Sequence, residues 1–352
     1  MKSYGRKGGV HSVIGLDGGT ADKVIKSGAG RRVLFMGTPD FAVPSLEALV
    51  GAGYGVVAAV TQPDRPKGRG GRLSEPAVKV SAERLGIPVM QPESVRGAGF
   101  LNEVASLAPD VAVTAAYGKM LPQSFLSMPA YGTVNVHASL LPAYRGAAPI
   151  QRAIMAGESV TGVTTMLTEI GMDTGDVLMR AECPIGFGDD CRTLSKRLSG
   201  LGADLLLTTL DGIFDGTLRG ERQDSGAATY APMLTKADGA IDWDRPAKEI
   251  ADKVRALCEW PVAYAELDGL RHRILAAAVG GVAGQACNGG GSGPGAGSDV
   301  CGTVTEVGEG FIRVRCGLGH IEILRIQPDG GKAMEAAEFV RGRPGLLGRR
   351  FT

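Results

Sequence analysis

The strongest constraint on the fold is an alternation in the first third of the chain. Val33-Leu34-Phe35-Met36-Gly37 is an apolar run ending in glycine, and Thr38-Pro39-Asp40 follows it before a helical stretch at 44–50. The same order of strand, loop and helix recurs. Strands are predicted at 55–60, 87–90 and 110–115, with helices at 77–85 and 100–107 between them. A short apolar run followed by a helix is the unit of a parallel sheet, because the helix carries the chain back over the sheet before the next strand. The expected fold class is therefore α/β, built on a doubly wound, mainly parallel sheet.

The pattern changes in the second half. A long helix is predicted over 194–214, then a polar, turn-rich stretch over 216–238 that reads as a linker. One more helix at 247–257 precedes short alternating segments at 263–267, 272–276, 302–307, 310–316 and 320–325. Short alternating strands with turns between them predict a small all-β barrel. Asn288-Gly289-Gly290-Gly291-Ser292-Gly293-Pro294-Gly295 interrupts it as a flexible loop. The domain limits expected from these shifts are a disordered basic leader at 1–30, a first domain at 31–215, the linker at 216–238 and the barrel at 239–352.

Composition narrows the class. With 352 residues, 44% hydrophobic and 21% charged, the chain can bury two cores. Its 54 glycines follow no Gly-X-Y period, which excludes collagen. No uncharged apolar stretch approaches the roughly 18 residues a membrane helix needs, and the leader lacks the apolar segment of a secretory signal. No membrane association is expected, and the reading is a cytoplasmic protein, or an organellar one if the leader targets it. Net charge is +1, but residues 1–32 carry seven Lys/Arg against two Asp. Residues 33–235 carry 16 basic against 20 acidic side chains, and residues 236–352 carry 15 of each. The six cysteines (Cys183, Cys191, Cys258, Cys287, Cys301, Cys316) show no C-x-x-C pair and no histidine at zinc-ligand spacing. No metal site and no disulfide framework are expected.

Of the four histidines, His137 stands in a distinctive setting. In Gly132-Thr133-Val134-Asn135-Val136-His137 the valines share one face of a strand, and Asn135 and His137 share the other, about 7 Å apart. Ser139-Leu140-Leu141-Pro142 and Arg145-Gly146-Ala147-Ala148-Pro149 then break the strand and start a helix. Polar groups at the carboxyl end of a strand are where open α/β sheets place their sites. A carboxylate in a tight turn, Gly171-Met172-Asp173-Thr174-Gly175-Asp176, follows the strand predicted at 163–168. An amide for an oxyanion, an imidazole for a proton and a carboxylate to orient them make a toolkit for acyl transfer. Read alone, each also fits an ordinary turn or a satisfied strand end.

Gly37-Thr38-Pro39-Asp40-Phe41, Gln62-Pro63-Asp64-Arg65-Pro66, Asn135-Val136-His137, Ser139-Leu140-Leu141-Pro142, the string from Arg145 to Gln151, and Asp173-Thr174-Gly175-Asp176 together resemble the methionyl-tRNA formyltransferase family in content and order. The likeness runs from about residue 31 to the end and includes Leu324-Arg325-Ile326-Gln327-Pro328. It implies a Rossmann-like formyltransferase domain followed by an OB-like barrel that binds tRNA. It further implies that 10-formyltetrahydrofolate donates a formyl group to the α-amine of methionyl initiator tRNA, with no metal. By the same likeness Asn135 and protonated His137 stabilise the oxyanion, and Asp173 holds His137 and helps remove the amine proton. Folate contacts map onto Ser139, Leu140, Leu141 and Pro142, and onto the backbone from Tyr117 to Leu121. One position departs: the family commonly has glycine after the histidine, where this chain has Ala138, whose methyl group fits only a backbone with negative φ.

Arg65, Lys67, Arg69 and Arg72 crowd residues 62–72 against one acid, Asp64, among prolines and glycines. A basic, exposed and mobile loop results, and the resemblance implies that it enters the tRNA acceptor end. In the barrel, Arg313 and Arg315 alternate onto one face, as do Arg271 and Arg273, and residues 341–350 hold four arginines without an acid. A local basic stripe rather than a general nucleic-acid field is expected there, on a protein that acts as a monomer. Two rival readings remain: formyl transfer onto a small amine such as a sugar nucleotide or glycinamide ribonucleotide, and an RNA-binding scaffold without catalysis. A nicotinamide dehydrogenase ranks last, because Gly37-Thr38-Pro39-Asp40 lacks G-x-G-x-x-G.

Overall fold

The computed structural model describes residues 30–67, 72–281 and 300–352. The basic leader up to residue 29, Arg69, and the Gly/Ser tract at 288–295 lie outside the described residues. The chain runs through β1 (Arg32–Gly37), α1 (Val43–Gly51), β2 (Gly55–Val60), β3 (Arg65–Lys67), β4 (Arg72–Ser74), α2 (Ala77–Arg84) and β5 (Val89–Met90). It continues with α3 (Ala98–Leu107), β6 (Val111–Ala115), α4 (Gln123–Leu126), β7 (Thr133–His137), β8 (Arg145–Gly146), α5 (Pro149–Met155), β9 (Val160–Leu167), β10 (Val177–Pro184) and the long α6 (Cys191–Phe214).

The main sheet has the order β10-β9-β7-β6-β1-β2-β5. Six of its seven strands run in one direction, and β9 is antiparallel to both neighbours. The apolar runs of β1 and β6 are explained by burial on both faces: Val33, Phe35 and Val113 enter one apolar cluster, while Leu34, Met36 and Ala112 enter another. From β1 the order runs outward through β2 and β5 and then returns to β6 on the opposite side. That reversal opens a crevice at the carboxyl ends of β1 and β6, and β7 lies next to β6 with His137 as its last residue. Behind β7 lies α6, whose start is fixed by a capping box in which Asp190 accepts from the backbone of Arg192 and Thr193. Gly202 permits this close approach, since a Cβ there would lie 2.8 Å from Val136 Cγ1. The valine face of β7 is thereby pinned, and Asn135 and His137 are left for the crevice.

The second core begins after β11 (Tyr230–Ala231) and comprises α7 (Ala247–Ala256), β12 (Tyr264–Leu267), β13 (Leu270–Gly280), β14 (Val304–Val307), β15 (Ile312–Arg315), β16 (His320–Pro328), β17 (Met334–Glu335) and α8 (Ala336–Arg341). Its antiparallel strands follow the order β12-β13-β16-β15-β14, with β17 on β16. The last residues bridge both ends of that order, Phe351 to Leu267 and Arg350 to Thr303, and curl the sheet into an OB-like half-barrel around Trp243, Ile274, Val314 and Ile323.

Helix α7 ties the two cores together. Ile250 and Val254 belong to the barrel core, whereas Ala256 and the following Leu257 belong to the first. Arg152 of α5 pairs with Asp238 at 2.9 Å. Cys191, which opens α6, and Cys258, just past α7, bring their Sγ atoms to 2.9 Å. The Cys191 thiol holds Cys258 below the usual thiol range. Among the described residues no helix is long and apolar enough to cross a membrane.

Three expectations change in detail. Residues 216–238 do not hang free, because Glu221 bridges Val177 and β11 pairs with β8. A polar, turn-rich composition suits a connection whose backbone pairs with other loops as well as one that pairs with water. The arms of the 62–72 loop are strands, with Arg65 opposite Ser74 and Lys67 opposite Arg72, and Asp64 at their root is held by Lys79 at 2.7 Å. In the barrel Arg313 lies between Glu306 and Glu322, and Arg349 against Asp268, so the arginine stripe is partly neutralised. These acids come from other strands or loops, and only the strand register brings them opposite the arginines.

Candidate active site

Asn135 is oriented from β6. Thr114, its cross-strand partner in the parallel register, donates its hydroxyl to Asn135 Oδ1 at 2.9 Å. With the carbonyl side of the amide engaged, the NH2 group is the end left to donate into the crevice. His137 is held by a main chain rather than by another side chain: its Nε2 lies 3.0 Å from the carbonyl oxygen of Tyr144. A carbonyl only accepts, so Nε2 carries a proton. The opposite ring edge, Nδ1, faces Asp173 Oδ2 at 3.7 Å, with the two side chains only 7% and 18% exposed.

Asp173 sits in the turn between β9 and β10 at φ +51°, a left-handed conformation that few residues other than glycine adopt. Its Oδ2 accepts from the backbone N–H of Gly146 at 2.8 Å. The carboxylate thus touches the loop after β7 and faces the histidine without a direct hydrogen bond. That separation leaves His137 Nδ1 available to a third group, and such contacts commonly tighten only when substrate is present. An amide end, an imidazole edge and a carboxylate therefore lie around the end of β7.

The stretch after His137 is built differently from its likeness to a folate-contacting segment. Ser139 is fully buried and donates to the carbonyl of Ala143 at 2.6 Å, and Leu141 packs in a small buried cluster with Met166 and Val177. Leu140 and Pro142 are half-buried. Tyr117 and Leu121 are both buried, in one cluster with Phe100 and Phe125, and burial pushes the Tyr117 phenol up to about 12. The Tyr117 carbonyl accepts from Gln62 Nε2 at 3.1 Å and from the Thr38 hydroxyl at 3.3 Å, joining the ends of β1, β2 and β6. Ala138 is absent from the positive-φ residues, and its methyl group packs into the first core, so the missing glycine imposes no strain.

Residues without a role in the sequence reading complete the site. Arg145, 3% exposed, directs Nε and Nη2 at Gln223 Oε1, 3.1 and 2.8 Å away. Gln223 in turn donates to the carbonyls of Asp173 and Gly175. Arg145 opens the string from Arg145 to Gln151 but has no chemical role in the sequence reading, and Gln223 lies in the stretch read as a linker. Thr114 reads as one more residue of a buried strand. Of the basic loop, Arg65 is exposed on β3. Among the described residues no group of His, Cys, Asp and Glu could hold a metal ion.

A family model described as formyl transferase matches residues 31–210, and a second, described as formyl transferase, C-terminal domain, matches residues 233–344. The methionyl-tRNA formyltransferase of Citrifermentans bemidjiense is 45% identical over 325 residues, covering 91% of this chain and 98% of that protein. That of Geobacter sulfurreducens is also 45% identical, over 314 residues, covering 89% and 94%. Among solved structures, the N-formyltransferase from Helicobacter canadensis in complex with folinic acid and dTDP-3-aminofucose superposes with a TM-score of 0.58 over 84% of this chain and 99% of that one. At 16% identity it shares the fold.

Proposed function

The chain belongs to the methionyl-tRNA formyltransferase family, and on that premise we propose that Asn135, His137 and Asp173 carry the transfer of a formyl group from 10-formyltetrahydrofolate to the α-amine of methionyl initiator tRNA. The observation that supports this reading most is the approach of His137 Nδ1 to Asp173 Oδ2 at 3.7 Å, beside an amide whose oxygen is already engaged.

In this reading the amine nitrogen attacks the formyl carbon, and the carbonyl π electrons move onto oxygen. The NH2 of Asn135 and the Nδ1–H of protonated His137 donate to that oxyanion. Asp173 takes the proton released by the amine, through one water molecule if needed, and keeps the imidazolium paired. The oxyanion then collapses, the bond from carbon to the folate nitrogen breaks, and that nitrogen takes up the proton that Asp173 received, which restores the carboxylate. Since the side chains of Ser139 and Leu141 face inward, folate contacts from this stretch come from its backbone, Leu140 and Pro142. Contacts near Tyr117 and Leu121 likewise come from the backbone. Arg65, Lys67, Arg69 and Arg72 serve the tRNA backbone, where the planar guanidinium forks match phosphate.

The test is incubation with 10-formyltetrahydrofolate and charged initiator or elongator methionine tRNA, followed by mass analysis of the released amino acid. Formylmethionine from initiator tRNA is expected. Formylation of a sugar nucleotide or of glycinamide ribonucleotide, with none of methionyl-tRNA, would move the protein to the small-amine reading.

A further inference from the structure

The Asp173 turn is closed by the bond from the Leu167 N–H to the Asp176 carbonyl, but few side chains hold its tip. Asp173 has a left-handed backbone, its neighbours Ile170 and Met172 point side chains into solvent, and a Cβ on Gly175 would overlap the Leu167 carbonyl at 1.9 Å. Its two carbonyls at Asp173 and Gly175 are held by a side chain about 50 residues later in the chain. Gln223, 7% exposed, uses both hydrogens of one amide nitrogen: Nε2 donates to the Asp173 carbonyl at 2.9 Å and to the Gly175 carbonyl at 2.7 Å. Its Oε1 receives the forked Nε and Nη2 of Arg145. Arg145 stands directly before Gly146, whose N–H binds the Asp173 carboxylate.

We propose that Gln223 is a positioning residue for formyl transfer: bridged to Arg145, it sets the Asp173 turn against the β7 loop so that the carboxylate faces His137. This rests on the functional reading above. The residue type carries the argument. Among the described residues Arg145 pairs with no carboxylate, although a buried guanidinium is better compensated by one than by a neutral amide. A carboxylate at residue 223 would satisfy Arg145, but it has no hydrogens for the two turn carbonyls. Only a neutral amide of this length accepts from the guanidinium on one side and donates twice on the other. The strand bridge between Val177 and Glu221 and the pairing of β11 with β8 clamp the same segment on either side of Gln223, so its amide has no slack.

The experiment compares Gln223→Glu and Gln223→Met with the unaltered enzyme, measuring kcat and KM for both substrates and the melting temperature. Gln223→Glu keeps the size and the contact to Arg145, so it is expected to fold. Both variants should lose about tenfold to a hundredfold in kcat, with each KM within about threefold. The same changes made in Asp173→Asn, assayed in single turnover, should cause no further loss, because residues that act through one another are not additive. Retained kcat in Gln223→Glu, or losses that multiply with Asp173→Asn, would overturn the proposal. An unaltered enzyme that does not formylate methionyl-tRNA would instead sink the functional reading. An active enzyme indifferent to residue 223 would sink only this inference.

Discussion

Asn135 shows how much a single hydrogen bond decides. A free amide rotates between two nearly equivalent orientations, and only one of them offers N–H to an oxyanion. The Thr114 hydroxyl removes the choice by donating to Oδ1. Thr114→Val keeps the shape and the β-branched preference of the strand but deletes the donor. It should lower kcat about tenfold while costing about 1 kcal/mol of stability, the net worth of a hydrogen bond to a half-buried acceptor. Steady-state formylation beside a denaturant titration measures both, and an unchanged kcat would mean that the amide is oriented by substrate instead. For comparison, removing the imidazole in His137→Ala is expected to cost about 10²-fold to 10³-fold.

At the scale of elements, strand β13 carries a second histidine with a different task. His272 is fully buried, donates Nδ1–H to the Leu270 carbonyl at 2.7 Å, and stands edge-on to Phe339 and Phe351, with no partner for Nε2 among the described residues. Burial lowers its pKa below the ordinary 6.5. His320 on β16 shifts the same way, from burial and from the nearby Arg315 and Arg313. Below an unfolded-state pKa of 6.5 the unfolded chain therefore binds protons that the folded barrel resists. Stability from these groups is full above that pH and falls as the pH drops towards the folded value. His272→Phe should flatten the fall: the melting temperature of the variant relative to the parent should be higher at about pH 5 than at about pH 8. A constant difference would assign the effect to packing alone.

At the scale of the molecule, two arginines of similar sequence setting are expected to behave differently towards RNA. Arg65 is exposed on the β3–β4 ribbon, where Lys79 occupies both Asp64 and Glu75, while Arg313 is sandwiched between Glu306 and Glu322. Arg65→Ala should weaken tRNA binding and reduce the slope of log K against log salt by about 0.7–0.9. Arg313→Ala should leave that slope unchanged, as a salt series of equilibrium binding would show. The opposite ranking would place the phosphate contacts on the barrel face.

The sequence alone determined the alternating sheet and the change to short antiparallel strands, and it singled out the amide, imidazole and carboxylate proposed for the site. Each is written in a local pattern: a period of two, a run of helix formers, or a motif of a few consecutive residues. Tertiary structure alone decided that Thr114 orients Asn135, that Tyr144 anchors His137, and that Gln223 reaches back from an apparent linker to hold the Asp173 turn. It also decided that glutamates across the barrel strands neutralise Arg313, and that Cys191 and Cys258 meet where the two cores join. The physical reason is range. Propensity and periodicity act over a turn or a strand, whereas a hydrogen bond or an ion pair acts over about 3 Å of space whatever the separation along the chain.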